Sequence, residues 1–197
     1  MSTLLVKSYA TPFGDLTVIA TQEDGVVRAS GFRSIAATAE TLPARLRRLP
    51  LGEGEVPQVT RAIEAWLEGD GSLLGEVKAE QDGGPFHQAA WAALRTVPSG
   101  VAVSYQELAE LAGSPRASRA AGSACARNAL APFVPCHRVI KSGGELGYYG
   151  FGGASAKGAM LALEGATEFV ERAQFAETAQ HGGSDRLLGA SQLAAVS

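Results

Sequence analysis

The stretch SYQELAELAGSPRASRAAGSACA, running from Ser104 to Ala126, decides the fold of the part of the chain around it. Ser104 is placed to cap a helix running to Leu111, and Glu107, three residues on, completes a capping box in which each side chain satisfies a backbone N–H of the other residue. Gly113-Ser114-Pro115 stops that helix, and a second begins at once over Arg116 to Ala126, built almost wholly from Ala, Gly, Ser and Arg. Helix, short glycine-containing turn and helix is the pattern of a helix-turn-helix, and an ordinary helical hairpin has the same outline. Two features favour the former. Between Leu111 and Gly144 the chain carries Arg116, Arg119, Arg127, Arg138 and Lys141 but no Asp or Glu, a basic block in a protein of net charge −3. The small side chains of the second helix would also let its backbone approach a groove closely, where a buried helix would normally carry Leu or Ile. DNA is the partner these features point to.

Just upstream, Phe86 to Leu94 reads as an apolar helix holding Trp91, ended by Pro98-Ser99-Gly100. Ahead of it, Ala79 to Pro85 (AEQDGGP) is polar and glycine-rich and reads as a linker. The N-terminal part opens as a small β-meander. Leu4-Leu5-Val6, Leu16 to Ala20 and Val26-Val27 are its strands, separated by turns at Thr11 to Asp15 and Glu23-Asp24-Gly25. Two helices are expected next, Ile35 to Arg48 and Pro57 to Leu67, the second with proline at its start and Val59, Ile63, Trp66 and Leu67 at helical spacing. The organisation predicted is an α/β domain over residues 1–78 with a small antiparallel sheet, a linker over 79–85, a mainly α domain over 86–165, and an appended stretch over 166–197. In that last stretch Phe169, Val170, Ala173 and Ala176 could form one helical stripe before His181-Gly182-Gly183-Ser184 breaks it.

Composition narrows the function classes. With 197 residues, 46% of them hydrophobic, the chain can bury a real core. No run of about 18 apolar residues occurs, and MSTLLVKSYATPFG lacks the features of a secretory signal, so a soluble, cytoplasmic protein is expected. The two cysteines, Cys125 and Cys136, are more often reduced than bridged in such a setting. His87, His137 and His181 lack partners at zinc-finger spacing, so no metal and no cofactor is implied.

The chemistry concentrates in Pro135-Cys136-His137-Arg138-Val139. A lone cysteine is more often a small buried hydrophobe than a nucleophile. Here it adjoins a histidine and is flanked by Arg138 and Lys141, surroundings that can lower a thiol pKa and favour the thiolate. Adjacent residues on a strand point to opposite sides, so a water bridging Cys136 and His137 is one way to complete a proton path. Glu164, after Met160-Leu161-Ala162-Leu163 on an expected helix, is the candidate to orient the imidazole.

The second part resembles the C-terminal domain of the 6-O-alkylguanine-DNA alkyltransferases, the methylated-DNA–protein-cysteine methyltransferases, whose PCHRV signature stands intact at Pro135 to Val139. The likeness extends from Phe86 to Gly165 through Val97-Pro98-Ser99-Gly100, Ser104 to Ala109, Arg119-Ala120-Ala121-Gly122, Asn128 and Gly147-Tyr148-Tyr149. Thr11-Pro12-Phe13-Gly14-Asp15-Leu16 and Gly31-Phe32 look like that family's opening strands. The resemblance implies a ribonuclease-H-like N-terminal domain and a helix-turn-helix in the C-terminal one. It implies irreversible, stoichiometric transfer of an alkyl group from oxygen-6 of guanine, or oxygen-4 of thymine, to Cys136 after base flipping. His137 would then act through water as base, Glu164 would orient it, and Asn128 would brace the adjoining loop. Tyr105 and Arg119 would handle the flipped nucleotide and the gap it leaves, with Gln106, Arg138, Val139, Ser142 and Tyr149 completing the substrate and DNA surface. The partner implied is double-stranded DNA read through the minor groove by a monomer.

Some positions depart from the family pattern. Ala129 stands where proline is usual, and Tyr149-Gly150-Phe151-Gly152-Gly153 is one residue longer than the common form. The N-terminus has no zinc-binding cysteines, like the bacterial members. Three other readings compete: a module that recognises alkylguanine without reacting, against which Cys136 argues; a thiol hydrolase or redox protein; and a transcriptional sensor of methylation. Cys125 is read as structural, and His87 and His181 lie outside the expected site.

Overall fold

A computed structural model describes residues 2–169. The N-terminal strands form as the turn residues dictate: β1 (Leu4–Tyr9) and β2 (Leu16–Thr21) pair antiparallel through the Thr11–Asp15 turn, and β2 pairs antiparallel with β3 (Val27–Gly31). Gly14 and Gly25 take positive φ in the two turns, a conformation that costs glycine nothing. The sheet is mixed where an antiparallel one was expected. A short β4 (Leu51–Glu53) adds parallel to β1, giving the order β3-β2-β1-β4. A parallel neighbour needs a crossover, and the helical segment between β3 and β4 supplies it.

That crossover also corrects the helix expected over Ile35–Arg48. It is two pieces, α1 (Ile35–Glu40) and α2 (Ala44–Arg47), because Pro43 disfavours helical backbone at Leu42 and serves as the N-cap of the second piece. α3 spans Pro57–Leu67 as its pattern predicted and buries Val59, Ile63 and Trp66. After a single 3-10 turn at Ser72–Gly75, residues 78–80 run along the free edge of β3. Val27 N–H donates to the Lys78 carbonyl at 2.9 Å, and Glu80 N–H donates to the Val27 carbonyl at 3.0 Å. Farther along the same edge, Ser30 N–H donates to the Ala129 carbonyl at 2.7 Å. The edge strand, otherwise an open template for pairing, is closed by two segments from later in the chain.

The rest is mainly helical. α4 (Pro85–Thr96) buries Ala90, Trp91 and Leu94. α5 (Tyr105–Leu111) carries the anticipated capping box, with both Ser104–Glu107 hydrogen bonds formed. α6 (Ser118–Ala126) starts two residues later than expected, after Ala117, and packs on α4 and α5. Its small side chains serve this packing on one face: Ala121 and Ala124 are fully buried, and the Trp91 indole N–H reaches the Ala124 carbonyl at 2.9 Å. Arg119, Ala126 and Arg127 lie on the exposed side. A two-residue parallel pair, β5 (Val103–Ser104) and β6 (Val139–Ile140), precedes α7 (Gly153–Leu163). One apolar core joins the two halves, with Leu16, Val18, Ile63 and Trp66 in the same cluster as Leu94, Leu108, Phe133 and Met160. Phe169 is buried, while Val170, Ala173 and Ala176 of the expected terminal stripe lie outside the described residues. No helix among the described residues is long and apolar enough to cross a membrane.

Candidate functional site

Cys136 opens a 3-10 turn, Cys136–Arg138, where a strand was expected, and only Val139 and Ile140 are extended. The turn follows a loop fastened by Asn128, which is 5% exposed. The Asn128 Nδ2 donates to the Val134 carbonyl at 2.7 Å and to Cys136 Sγ at 3.1 Å, while its Oδ1 accepts from Leu130 N–H at 3.0 Å. Gln81, from the segment read as a linker, donates to Asn128 Oδ1 at 3.0 Å and accepts from Ala129 N–H at 2.8 Å. Each amide is thereby held in one orientation, and the thiol receives a fixed donor.

Behind the thiol lies a buried ionic cluster. His137 has no exposed surface, and its Nε2 lies 2.9 Å from Glu164 Oε1. The same carboxylate accepts from Arg138 Nε at 2.8 Å, Arg138 Nη2 at 2.9 Å and the Trp66 indole N–H at 2.9 Å. Glu164 sits at the end of α7, one residue past Leu163, which points it back at the 3-10 turn. Burial opposes its ionisation, but His137 and Arg138 together outweigh that and hold the carboxyl well below its usual range. Burial pulls the His137 pKa down despite Glu164 and leaves the imidazole neutral. Its Nδ1 is buried without a partner among the described residues, which marks it as the atom free to take a proton.

This geometry corrects the sequence reading of the cations. Arg138, expected at the DNA surface, is 5% exposed and spends its donors on Glu164 and on the Val97 carbonyl at 2.6 Å. Val139 is likewise in the core, paired with Val103. Lys141 pairs with Glu145 at 2.7 Å. Neither cation is available to the sulfur, and burial pushes the Cys136 thiol up, opposed by the Asn128 hydrogen bond and by Lys157. Lys157 was missed by sequence reasoning. It is 1% exposed on α7, donates to the Leu146 carbonyl at 2.6 Å, and burial brings its pKa down to about 8, with Cys136 and Cys125 opposing the fall. A buried lysine costs several kcal/mol unless something nearby uses its charge. Its only sequence signal is a basic residue inside the otherwise small and apolar run Gly153 to Leu163.

Cys136 opens onto a cavity of about 340 Å³ walled by Tyr105, Gly122, Tyr148, Tyr149 and Phe151. Cys125, read as structural, lines the same cavity, with its thiol pushed up by burial. Burial holds the Tyr105 phenol up to about 12, so it stays a donor at neutral pH. Tyr149 is 4% exposed, and its hydroxyl has no partner among the described residues. Phe151, within the loop read as one residue longer than the family's, packs on Tyr149 at a centroid distance of 5.5 Å and on Phe32 at 6.0 Å. Arg119, Gln106 and Ser142 lie outside the cavity and are exposed. Gln106 is tied to Glu110 at 3.2 Å and to the Pro115 carbonyl at 2.5 Å, so it braces the turn between α5 and α6.

Comparison with known proteins then decides the family. The sequence model for the 6-O-methylguanine DNA methyltransferase, DNA binding domain, matches residues 85–166. A methylated-DNA–protein-cysteine methyltransferase of Mycobacterium leprae is 42% identical over 124 residues, 62% of this chain and 72% of that protein. This chain belongs to the methylated-DNA–protein-cysteine methyltransferase family. Among solved structures, Mycobacterium tuberculosis OGT in complex with DNA superposes with a TM-score of 0.66 at 31% identity, covering 87% of this chain and 99% of that one. The bifunctional transcriptional activator/DNA repair enzyme Ada of Escherichia coli is 49% identical over 86 residues, 44% of this chain but 24% of that longer protein. In these family terms, the segments joined at the thiol are the PCHRV turn, the Asn128 loop and the end of α7.

Proposed function

We propose that this chain reverses DNA alkylation directly, transferring the alkyl group from oxygen-6 of a guanine to Cys136 Sγ in a single turnover. The observation that carries this reading is Cys136 lining a cavity of small-molecule size, with a fixed donor 3.1 Å from its Sγ and a neutral buried imidazole next in the chain.

The reacting carbon of an alkylguanine lies inside the base stack, so a protein nucleophile reaches it only if the nucleotide is rotated out, at a cost of a few kcal/mol that is least for a poorly paired base. The base then enters the cavity between Tyr105 and Tyr149. Cys136 rests as a thiol because burial disfavours its anion, and it loses its proton through a water to His137 Nδ1. Glu164 and Arg138 hold the ring with Nδ1 turned to the proton. Sγ attacks the alkyl carbon in line, the carbon–oxygen bond breaks, and charge moves onto the guanine oxygen. The Tyr105 hydroxyl stays protonated and donates to the departing base as that charge develops. The product is a thioether, which has no leaving group at neutral pH, so the protein is spent.

DNA is the macromolecular partner. The α5–α6 pair acts as a helix-turn-helix laid against the minor groove, with Arg119 entering the stack where the nucleotide leaves and Ser142 and Gln106 on the flanking surface. The N-terminal sheet is read as ribonuclease-H-like, the division falls at 79–85, and the protein acts as a monomer. The test is intact-protein mass spectrometry after mixing excess protein with a duplex carrying one 6-O-methylguanine. The expected result is a gain of one methyl group in the wild type and none in Cys136→Ala. Binding without any mass gain would overturn the transfer.

A further inference from the structure

One cation among the residues lining the Cys136 cavity comes from the N-terminal sheet. Arg33 follows the end of β3, where its N–H donates to the Gly31 carbonyl at 2.9 Å and its own carbonyl accepts from Thr17 Oγ1 at 2.7 Å. Ser34, the next residue, caps α1 through its hydroxyl. The backbone at Arg33 is thus pinned from both sides. Its guanidinium lies 4.7 Å from the centroid of the Phe151 ring, and that ring is wedged against Phe32 and Tyr149 in the cavity wall. A stacked guanidinium keeps its N–H groups free at the plane's edge.

What Arg33 lacks is an anion. Arg28, Arg45 and Arg138 each pair with a carboxylate, whereas Arg33 is exposed and makes no ion pair among the described residues. An unpaired cation at the mouth of a cavity, in a protein of net charge −3, matches an anionic ligand arriving with whatever fills that cavity. A nucleotide rotated into the cavity brings its two flanking phosphodiesters to the mouth, and phosphate is the group that a guanidinium fork binds best.

We infer that Arg33 grips a DNA phosphodiester flanking the extruded nucleotide, so that the N-terminal sheet takes part in holding the substrate. This rests on the alkyltransferase reading above. The rim of the site is then bipartite, with exposed Arg119 of α6 on one side and Arg33 on the other.

The experiment is a binding cycle in a Cys136→Ala background, where chemistry cannot intervene. Affinity is measured for a duplex containing 6-O-methylguanine and for the same duplex with either flanking phosphodiester replaced by a neutral methylphosphonate. Arg33→Ala should weaken binding to the natural duplex about 5- to 10-fold and lower the salt dependence by about one phosphate contact. Against the duplex neutral at the gripped position, the same substitution should cost less than about 2-fold, since the contact is already gone. Arg33→Lys, which keeps the charge, should recover part of the loss. Equal losses on all duplexes, or no loss on the natural one, would overturn the assignment. Transfer itself is judged separately, by the mass gain of the wild type with the free base 6-O-benzylguanine, so failure of the chemistry and failure of the phosphate contact give different results.

Discussion

At the scale of single residues, Lys157 settles what charge the thiol meets. Glu164 neutralises Arg138 and Glu145 pairs with Lys141, which leaves Lys157 as the cation acting on Cys136. Its pKa of about 8 gives the consequence a pH window. Thiolate grows as pH rises, but the ammonium that favours it is lost as pH passes about 8, so the transfer rate of the wild type should rise and then flatten there. In Lys157→Met the thiol loses that support. A rise of one unit in its pKa would slow transfer about tenfold at neutral pH, and the rate should keep climbing into alkali. Rapid-quench mass spectrometry across pH tests this, and an unchanged profile would remove Lys157 from the mechanism. The sequence pointed to Cys136, His137, Asn128 and Glu164 through a recognisable motif. It did not point to Lys157 or Gln81, because a lone lysine in a helix and a glutamine in a polar segment are ordinarily solvated.

At the scale of elements, the legible features were those whose cause lies within a few residues. The capping box at Ser104 and Glu107, the proline that starts α3 and the glycine turns of the meander were all readable and all formed. Ser104→Ala should therefore cost about 1 kcal/mol, seen as a fall of roughly 2–4 °C in Tm for a protein of this size. Because Tyr105 is the first residue of α5, fraying there should also slow reaction with DNA; a variant with unaltered Tm would show that tertiary packing holds α5 without its cap. The errors were of the opposite kind. The helix expected over Ile35–Arg48 ignored the effect of Pro43 on the residue before it, and the strand expected at Cys136 overlooked that Asn128 pulls the loop into a turn.

At the scale of the whole molecule, the N-terminal half packs into the site. Trp66 reaches Glu164 across 98 positions, Gln81 braces Asn128, and the end of β3 backs the Phe151 loop. Gly31 shows how close that contact is. A Cβ there would lie 2.5 Å from Phe151 Cε1 and 2.9 Å from Cζ, and the ring is hemmed in by Phe32, Tyr149 and Arg33. Gly31→Ala should cost about 1–3 kcal/mol through overpacking and slow transfer by displacing a cavity wall. Urea unfolding and the transfer rate would be measured together, and loss of neither would show that the wall yields freely.

The sequence by itself determined most local elements, the candidate nucleophile and the family, because caps, turns and an ordered motif act over short stretches of chain. Only the tertiary structure decided which charge each buried group meets. Arg138 turns inward to Glu164, Lys157 is the buried cation whose charge favours the thiolate, and Arg33 reaches the rim of a cavity whose other walls lie more than seventy positions away. The physical reason is that desolvation and pairing depend on neighbours brought together by the packed core, and no pattern along the chain encodes those neighbours one residue at a time.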